Sequence, residues 1–282
     1  MKPNMIQATR DKRKTITRRV MKPQPESDIV EMCKTTEPEG WQTGGRSYKW
    51  TEECDTGGKI WTPRYQVGQK VYIKEAWAYK GCSTVGEICT AHIRYLSDNT
   101  KGDICFATFD EMMKSTPRQN LKFPTNYNGL EDVDKEAILY ELLTKWWARV
   151  GKGISPLFML EWAARDFLKI IDVSAGRVQG ITEEDAIAEG IEIVEPFCQG
   201  NMSFARVYDG GQYYYNSSIE AYSELWDSIN AKPKPVMVKG ILTHYESYPW
   251  TEGTRAETYR GLPHYIYGNP WVFRNEFERL IK

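Results

Sequence analysis

The stretch of this chain best suited to chemistry is Asp11-Lys12-Arg13-Lys14-Thr15-Ile16-Thr17-Arg18-Arg19-Val20. Alternation of Thr15, Thr17 and Arg19 against Ile16, Arg18 and Val20 suits a strand beginning near Lys14. A desolvated, neutral lysine beside a hydroxyl can take its proton and leave an alkoxide nucleophile. A nearby carboxylate can then hold the lysine or shuttle the proton. The same residues also describe a solvated basic strand edge, which discourages aggregation, and spacing alone favours that plainer reading. The surrounding charge is one-sided: Lys2, Arg10, Lys12, Arg13, Lys14, Arg18, Arg19 and Lys22 stand against Asp11. Such a run is either a solvated arm or a phosphate-facing entry to a site.

A second anomaly is Glu75. Val67-Gly68-Gln69 opens a strand expected from Lys70 to Tyr79, whose odd positions are Val71, Ile73, Glu75, Trp77 and Tyr79. Strand side chains alternate faces, so this acid shares a face with apolar neighbours and needs a partner, or burial raises its pKa. Two readings stay open: a carboxylate inside a pocket, or a barrel-rim glutamate paired with an arginine.

Other chemistries find little support. There is no G-x-x-x-x-G-K-[ST] phosphate loop, no G-x-G-x-x-G and no G-x-S-x-G elbow. Cys33, Cys54, Cys82, Cys89, Cys105 and Cys198 are scattered without a C-x-x-C pair, and the histidines are His92, His244 and His264. His92, three residues after Cys89, is a faint echo of a metal site; reduced thiols are the better reading. No metal and no cofactor are expected.

The chain has 282 residues, 37 Lys+Arg against 38 Asp+Glu, 41% apolar and 27% charged residues. That composition excludes a disordered or fibrous chain and supplies a real core. No run approaches the ~18–20 apolar residues of a membrane span, and Met1-Lys2-Pro3-Asn4 lacks an apolar signal core. A soluble intracellular protein, without membrane partners, is expected. Ten Trp and 17 Tyr are the unusual component, able to pack a core or to stack on bases.

The elements that position these residues follow from periodicity. Residues 24–66, rich in Gly, Pro, Thr and Glu, suggest an ordered loop or short hairpins. A strand is expected at Ile88 to Leu96, then an insertion at 97–131. Ile138, Leu139, Leu142, Leu143, Trp146, Trp147 and Val150 stripe a helix from Asp132 to Val150, closed by Gly151 and Gly153. A strand from Asp166 to Val173 and a short helix from Thr182 to near Gly190 follow. Residues 196–216 suggest a second insertion, Ser217 to Asn230 a helix, residues 231–268 an irregular stretch, and Asn269 to Glu278 a closing strand. Short strands with helices between them suggest an α+β fold built on a small mixed barrel with large loop insertions.

Arg13-Lys14-Thr15-Ile16-Thr17-Arg18-Arg19, followed by Lys22-Pro23-Gln24-Pro25, resembles the opening of phage-encoded ASCH-domain proteins of the PUA-like superfamily. Val67 to Trp77 is similar to their strand, and Pro156 to Arg165 to their Pro-rich Met-x-x-Trp-Ala-x-Arg segment. Ile181 to Gly190, Leu225 to Asn230 and Asn269-Pro270-Trp271-Val272 also fit, in the family's order. The chain departs at Glu161, where many phage relatives carry arginine, and at Gly68-Gln69, where most have Gly-Asp.

The resemblance implies one PUA-like mixed β-barrel over 1–282, with flanking helices and insertions at about 24–66, 97–155, 196–216 and 231–268. It implies a cleft for RNA, single-stranded DNA or a modified nucleoside, in a phage protein working in the host cytoplasm. In that cleft Arg13, Arg18 and Arg19 would meet phosphates, Trp77 or Trp271 would stack on a base, and Arg165 would add charge. The family also includes a small bacterial amidohydrolase that deacylates N4-acetylcytidine with Lys, Thr and Glu, which fall here on Lys14, Thr17 and, approximately, Glu75. By that analogy Thr17 attacks an N-acyl carbonyl, Lys14 is the base, and Glu75 orients Lys14 and protonates the leaving amine. A third expectation is a host-protein partner held by the aromatic-rich insertions.

Overall fold

The computed structural model describes residues 3–25, 31–34, 48–51, 60–108, 111–112, 131–153, 155–194, 204–207, 214–251 and 253–280. The fold is mixed α+β, and the chain forms two compact units. One is contiguous in sequence, Tyr72–Asp166 with a few terminal residues; the other is split, Asn4–Val71 and Phe167–Ile281.

The split unit begins with α1 (Pro3–Arg10), β1 (Ile16–Val20), β2 (Glu31–Lys34), β3 (Tyr48–Thr51), β4 (Ile60–Trp61) and β5 (Lys70–Tyr72), whose last residue passes into the contiguous unit. The contiguous unit holds β6 (Trp77–Val85), β7 (Ile88–Tyr95), β8 (Lys101–Phe106) and α2 (Asp132–Val150). The chain then returns through β9 (Phe167–Arg177), α3 (Glu183–Ala188), β10 (Ile191–Val194), β11 (Phe204–Val207) and α4 (Ser218–Asn230). It closes with β12 (Lys234–Val238), β13 (Ile241–Ser247), β14 (Thr254–Tyr259), β15 (Leu262–Tyr267) and β16 (Trp271–Leu280).

The main sheet of the split unit has the order β1-β16-β9-β5, with β16 antiparallel to both β1 and β9. A bulge opposite Glu276 and Phe277 leaves Ile171 as an extra residue on β9 and bends the ladder there. Helices α3 and α4 build a core with this sheet from Val178, Ile181, Ala186, Ile191, Ala221, Tyr222, Trp226 and Val272. Both helices carry the caps their sequences advertise. Thr182 Oγ1 accepts from Asp185 N–H at 3.2 Å, and Ser217 Oγ accepts from Glu220 N–H at 3.1 Å. Glu183, Glu184 and Asp185 add negative charge to the first turn of α3, where the helix dipole favours it.

In the contiguous unit, β6, β7 and β8 form an antiparallel sheet. Alternation along β7 buries Cys89, Ala91, Ile93 and Tyr95 and leaves Ile88, Thr90, His92 and Arg94 on the other face. Leu143, Trp146 and Trp147 of α2 are buried as the helical stripe requires. Trp147 packs on Tyr79 at 4.6 Å and on Trp162 at 5.8 Å between ring centroids.

Several expectations shift. The strand expected from Lys70 to Tyr79 is interrupted: β5 ends at Tyr72, β6 starts at Trp77, and Glu75 lies between them. The alternation survives that break, with Ile73, Glu75 and Trp77 all buried. The segment 97–131, read as an insertion, contributes strand β8, and the turn expected at Asn128-Gly129 lies outside the described residues. The stretch 231–268 is not irregular. It holds a four-stranded sheet, β12-β13-β15-β14, in which β13 and β15 run parallel. Most of 24–66 and 196–216 lies outside the described residues, although β2-β3-β4 forms a small antiparallel sheet.

Candidate functional site

The basic segment occupies an edge of the main sheet of the split unit. Thr15 N–H donates to Ala188 O, and β1 then pairs with β16 so that Thr17 faces Asn275 and Arg18 faces Arg274. Strand alternation puts Ile16, Arg18 and Val20 on one face and Thr17 and Arg19 on the other. The Arg18 face meets the end of α3. There the chain passes Glu189 and turns at Gly190, whose φ of +104° strains any side-chain-bearing residue. Lys14 packs beside this turn, its Cβ at ordinary contact distance, 3.7 Å, from where a Gly190 side chain would begin. The glycine thus lets the chain reverse against the lysine and sets Glu189 beside it.

The contacts that follow form one charged network. Lys14 Nζ donates to Glu189 Oε2 at 2.7 Å and to its carbonyl at 2.6 Å. Arg18 donates to Asp185, with its other nitrogen 3.5 Å from Glu189 Oε1. Arg274 grips Asp185 with two parallel bonds of 3.1 Å and reaches Glu276 at 3.1 Å. Tyr222 Oη completes the group, donating to Glu189 Oε1 at 3.4 Å. Burial works against the Asp185 carboxylate, yet the bonds from Arg274 and Arg18 hold its pKa below the ordinary value. Burial, then the nearby Glu189 charge, pushes the Tyr222 phenol well above its ordinary value.

Thr17 is half-buried, on the face of β1 opposite Arg18, and no hydrogen bond joins its hydroxyl to the Lys14 ammonium. The carboxylate beside Lys14 is that of Glu189. Glu75 belongs to the contiguous unit. It is 1% exposed and held by Arg165, Nε to Oε1 and Nη2 to Oε2 both at 2.8 Å, with the Ser97 hydroxyl donating to Oε2 as well. Of the two readings of Glu75, the arginine-paired one is what the geometry displays. Arg165 also binds Asp98 at 2.7 Å and lies over the Tyr95 ring, 3.9 Å from its centroid. Burial raises the Asp98 pKa, but the Thr100 hydroxyl and amide and the Arg165 guanidinium outweigh it and bring the value to about 2.

Four expected nucleic-acid contacts need correction. Trp77 is 0% exposed, packed edge-on against Trp162 at 5.5 Å, and offers no face to a base. Trp271 is buried too, with Arg177 over its ring and its backbone N–H donating to Gln24 Oε1. Arg18 is enclosed and committed to Asp185 and Glu189, and Arg165 to Glu75 and Asp98. Arg19 is exposed, and Arg13 is half-exposed beside Asp11 at 2.7 Å.

The acids that govern the site, Asp185 and Glu189, and their cation Arg274 were not singled out from the sequence. One signal existed. Glu189 caps the C-terminal end of α3, where the helix dipole disfavours an anion unless a cation meets it. No group of three or more His, Cys, Asp or Glu side chains converges to hold a metal ion among the described residues. No helix among them is long and apolar enough to cross a membrane. Comparison with protein-family models, curated proteins and solved structures finds no match for this chain.

Proposed function

We propose that this chain recognises nucleic acid or a modified nucleoside, in the manner of the ASCH, PUA-like proteins its motifs resemble. The observation that carries the reading is the division of charge along β1. Lys14 and Arg18 are neutralised inside by Glu189 and Asp185, whereas Arg19 projects outward two residues after the half-buried Thr17 hydroxyl. Arg19, exposed on the open face of β1, is the cation this reading assigns to a phosphate. Thr17 supplies a donor and acceptor for a base or sugar edge. A cation for a phosphate beside a hydroxyl supplies the backbone-positioning part of such recognition.

A second reading, an amidohydrolase acting on an N-acylated cytidine, is favoured by one contact: a lysine of the K-T-x-T segment held by a buried carboxylate. In it Lys14 first passes a proton to Glu189 and turns towards Thr17, whose hydroxyl proton it takes as Thr17 attacks the acyl carbon, with Glu189 in the role expected of Glu75.

The two part company in one experiment. The protein is incubated with a panel of modified nucleosides and short RNA and DNA strands, and both retention and turnover are followed by chromatography. Recognition gives retention weakened by R19A and, through the lost hydroxyl, by T17A, with no turnover in either. Catalysis gives acetate from N4-acetylcytidine that T17A abolishes. Absence of both, with a host polypeptide co-purifying after nuclease treatment, would overturn the proposal in favour of a protein partner.

A further inference from the structure

Among the described residues two serine–histidine–acid relays occur, one in each unit. In the split unit, His264 Nδ1 meets Glu257 Oε1 at 3.1 Å and His264 Nε2 meets Ser247 Oγ at 2.9 Å. In the contiguous unit, His92 Nδ1 meets Asp103 Oδ1 at 2.7 Å and His92 Nε2 meets Ser83 Oγ at 3.0 Å. The residue offsets are alike, although the serine strand runs parallel to the histidine strand in the first relay and antiparallel in the second. The acid lies directly opposite the histidine, and the serine lies two residues beyond its other partner, Tyr245 or Gly81.

Their settings differ. His264 is 3% exposed and Ser247 1%, so that relay satisfies buried polar atoms that water cannot reach. His92 and Asp103 are exposed, with 41% and 67% of their side-chain surface open, and Ser83 is exposed with them. No burial requires the second relay. Water would satisfy each of its groups.

We propose that Ser83, His92 and Asp103 form a hydrolytic relay on the open face of the β6–β7–β8 sheet, acting on carboxylic esters with a short apolar acyl group. A carboxylate only accepts hydrogen bonds, so Nδ1 of His92 carries the proton and Nε2 presents its lone pair to the Ser83 hydroxyl. That is the order of bonds a general-base serine needs. Three hydrogen-bonded strands hold the three side chains, a firmer support than loops provide.

On the same face Val85 and Ile88, directly paired and 80% and 54% exposed, continue from Ser83 as a seat for the acyl chain. Thr90, directly opposite Ser83 and 3.7 Å from Cys105 Sγ, is the nearest cross-strand hydroxyl that could turn to an oxyanion. Ser83 Oγ bonds to the carbonyl carbon as its proton passes to Nε2, and the C–O bond breaks with the alcohol leaving on that proton. Water then adds to the acyl-serine through the same nitrogen and releases the carboxylic acid. With one side-chain donor in place of a pair, turnover is expected about 10²–10³-fold below that of a full oxyanion hole. Covalent capture is therefore the sharper readout.

The test treats the full chain with an alkyl fluorophosphonate, which phosphonylates serine with loss of fluoride, and maps the adduct by peptide mass spectrometry. One adduct is expected, on Ser83. S83A should abolish it, and H92A or D103N should slow it by about 100-fold. Hydrolysis of p-nitrophenyl butyrate should fall in parallel. Circular dichroism checks that these surface variants keep the fold. An adduct absent from Ser83, one on the exposed Cys82 or Cys105 instead, or labelling untouched by D103N overturns the proposal.

Discussion

Glu189 meets Lys14 at 2.7 Å across 175 residues of sequence, with 6% and 8% of their side-chain surface exposed. A charge so enclosed is tolerable only with its partner. Replacing Glu189 by alanine should therefore destabilise the protein by about 3–5 kcal/mol, because the ammonium is left buried and uncompensated. The double variant K14M/E189L should recover most of that loss, since an apolar pair of similar volume carries no desolvation penalty. Urea unfolding of the two variants, compared at equal m-values, measures the difference.

The Glu75–Arg165 pair follows the same logic in the contiguous unit. Glu75 accepts from both ends of a planar fork. R165K keeps the charge but loses the second parallel bond, and R165A loses both. Destabilisation should grow from about 1–3 kcal/mol in the first to about 3–5 kcal/mol in the second. Equal losses in the two variants would mean the fork adds nothing beyond its charge.

Asp98 titrates at about 2, below its ordinary 3.8. A folded-state pKa depressed in this way contributes stability that is present above the unfolded value and lost as the pH falls from 3.8 to about 2. Its exposure keeps that contribution small. Carbon-13 titration of the Asp98 carboxyl should show the low midpoint in the native protein and a return towards 3.8 in R165A. D98N should slightly reduce the slope of stability with pH across that window, the rest coming from other depressed carboxylates such as Asp185.

Neighbours on one strand, Arg18 and Arg19 should behave oppositely. R18A strips a cation from Asp185 and Glu189 and should lower the unfolding midpoint. R19A, on the open face, should leave that midpoint alone. For any nucleic acid bound, it should reduce the slope of log K against log salt by about one. A midpoint that falls with R19A, or a salt slope that ignores it, would remove Arg19 from the phosphate contact.

Where local periodicity governs, the sequence was readable. Helix α2 spans Asp132–Val150 as its stripe of Leu143, Trp146 and Trp147 requires, and Thr182 and Ser217 cap the helices they announce. Strand parity marked Glu75 as an acid on an apolar face, and it is buried there. The same parity puts Trp77 on that face, which argues against a stacking role on grounds already visible in the sequence. The sheet β12–β15 was hidden because Pro233, Pro235, Pro249 and Pro263 punctuate it and β14 is mostly exposed, so neither face shows a clean alternation. The partnership of Glu189 with Lys14 leaves one local trace, an acid at a helix C-terminus, and that trace does not name the partner. The pairing exists only once α3 is folded against β1.

The four-stranded sheet of residues 234–267 ends in β12 on one side and β14 on the other. Both rims are guarded against recruiting a stranger's backbone. Pro235 removes an amide donor from the first, and Arg255 and Glu257 place alternating charge along the second. Other copies of the chain, crowded together during synthesis, thus find these two rims poor templates on which to grow a fibril.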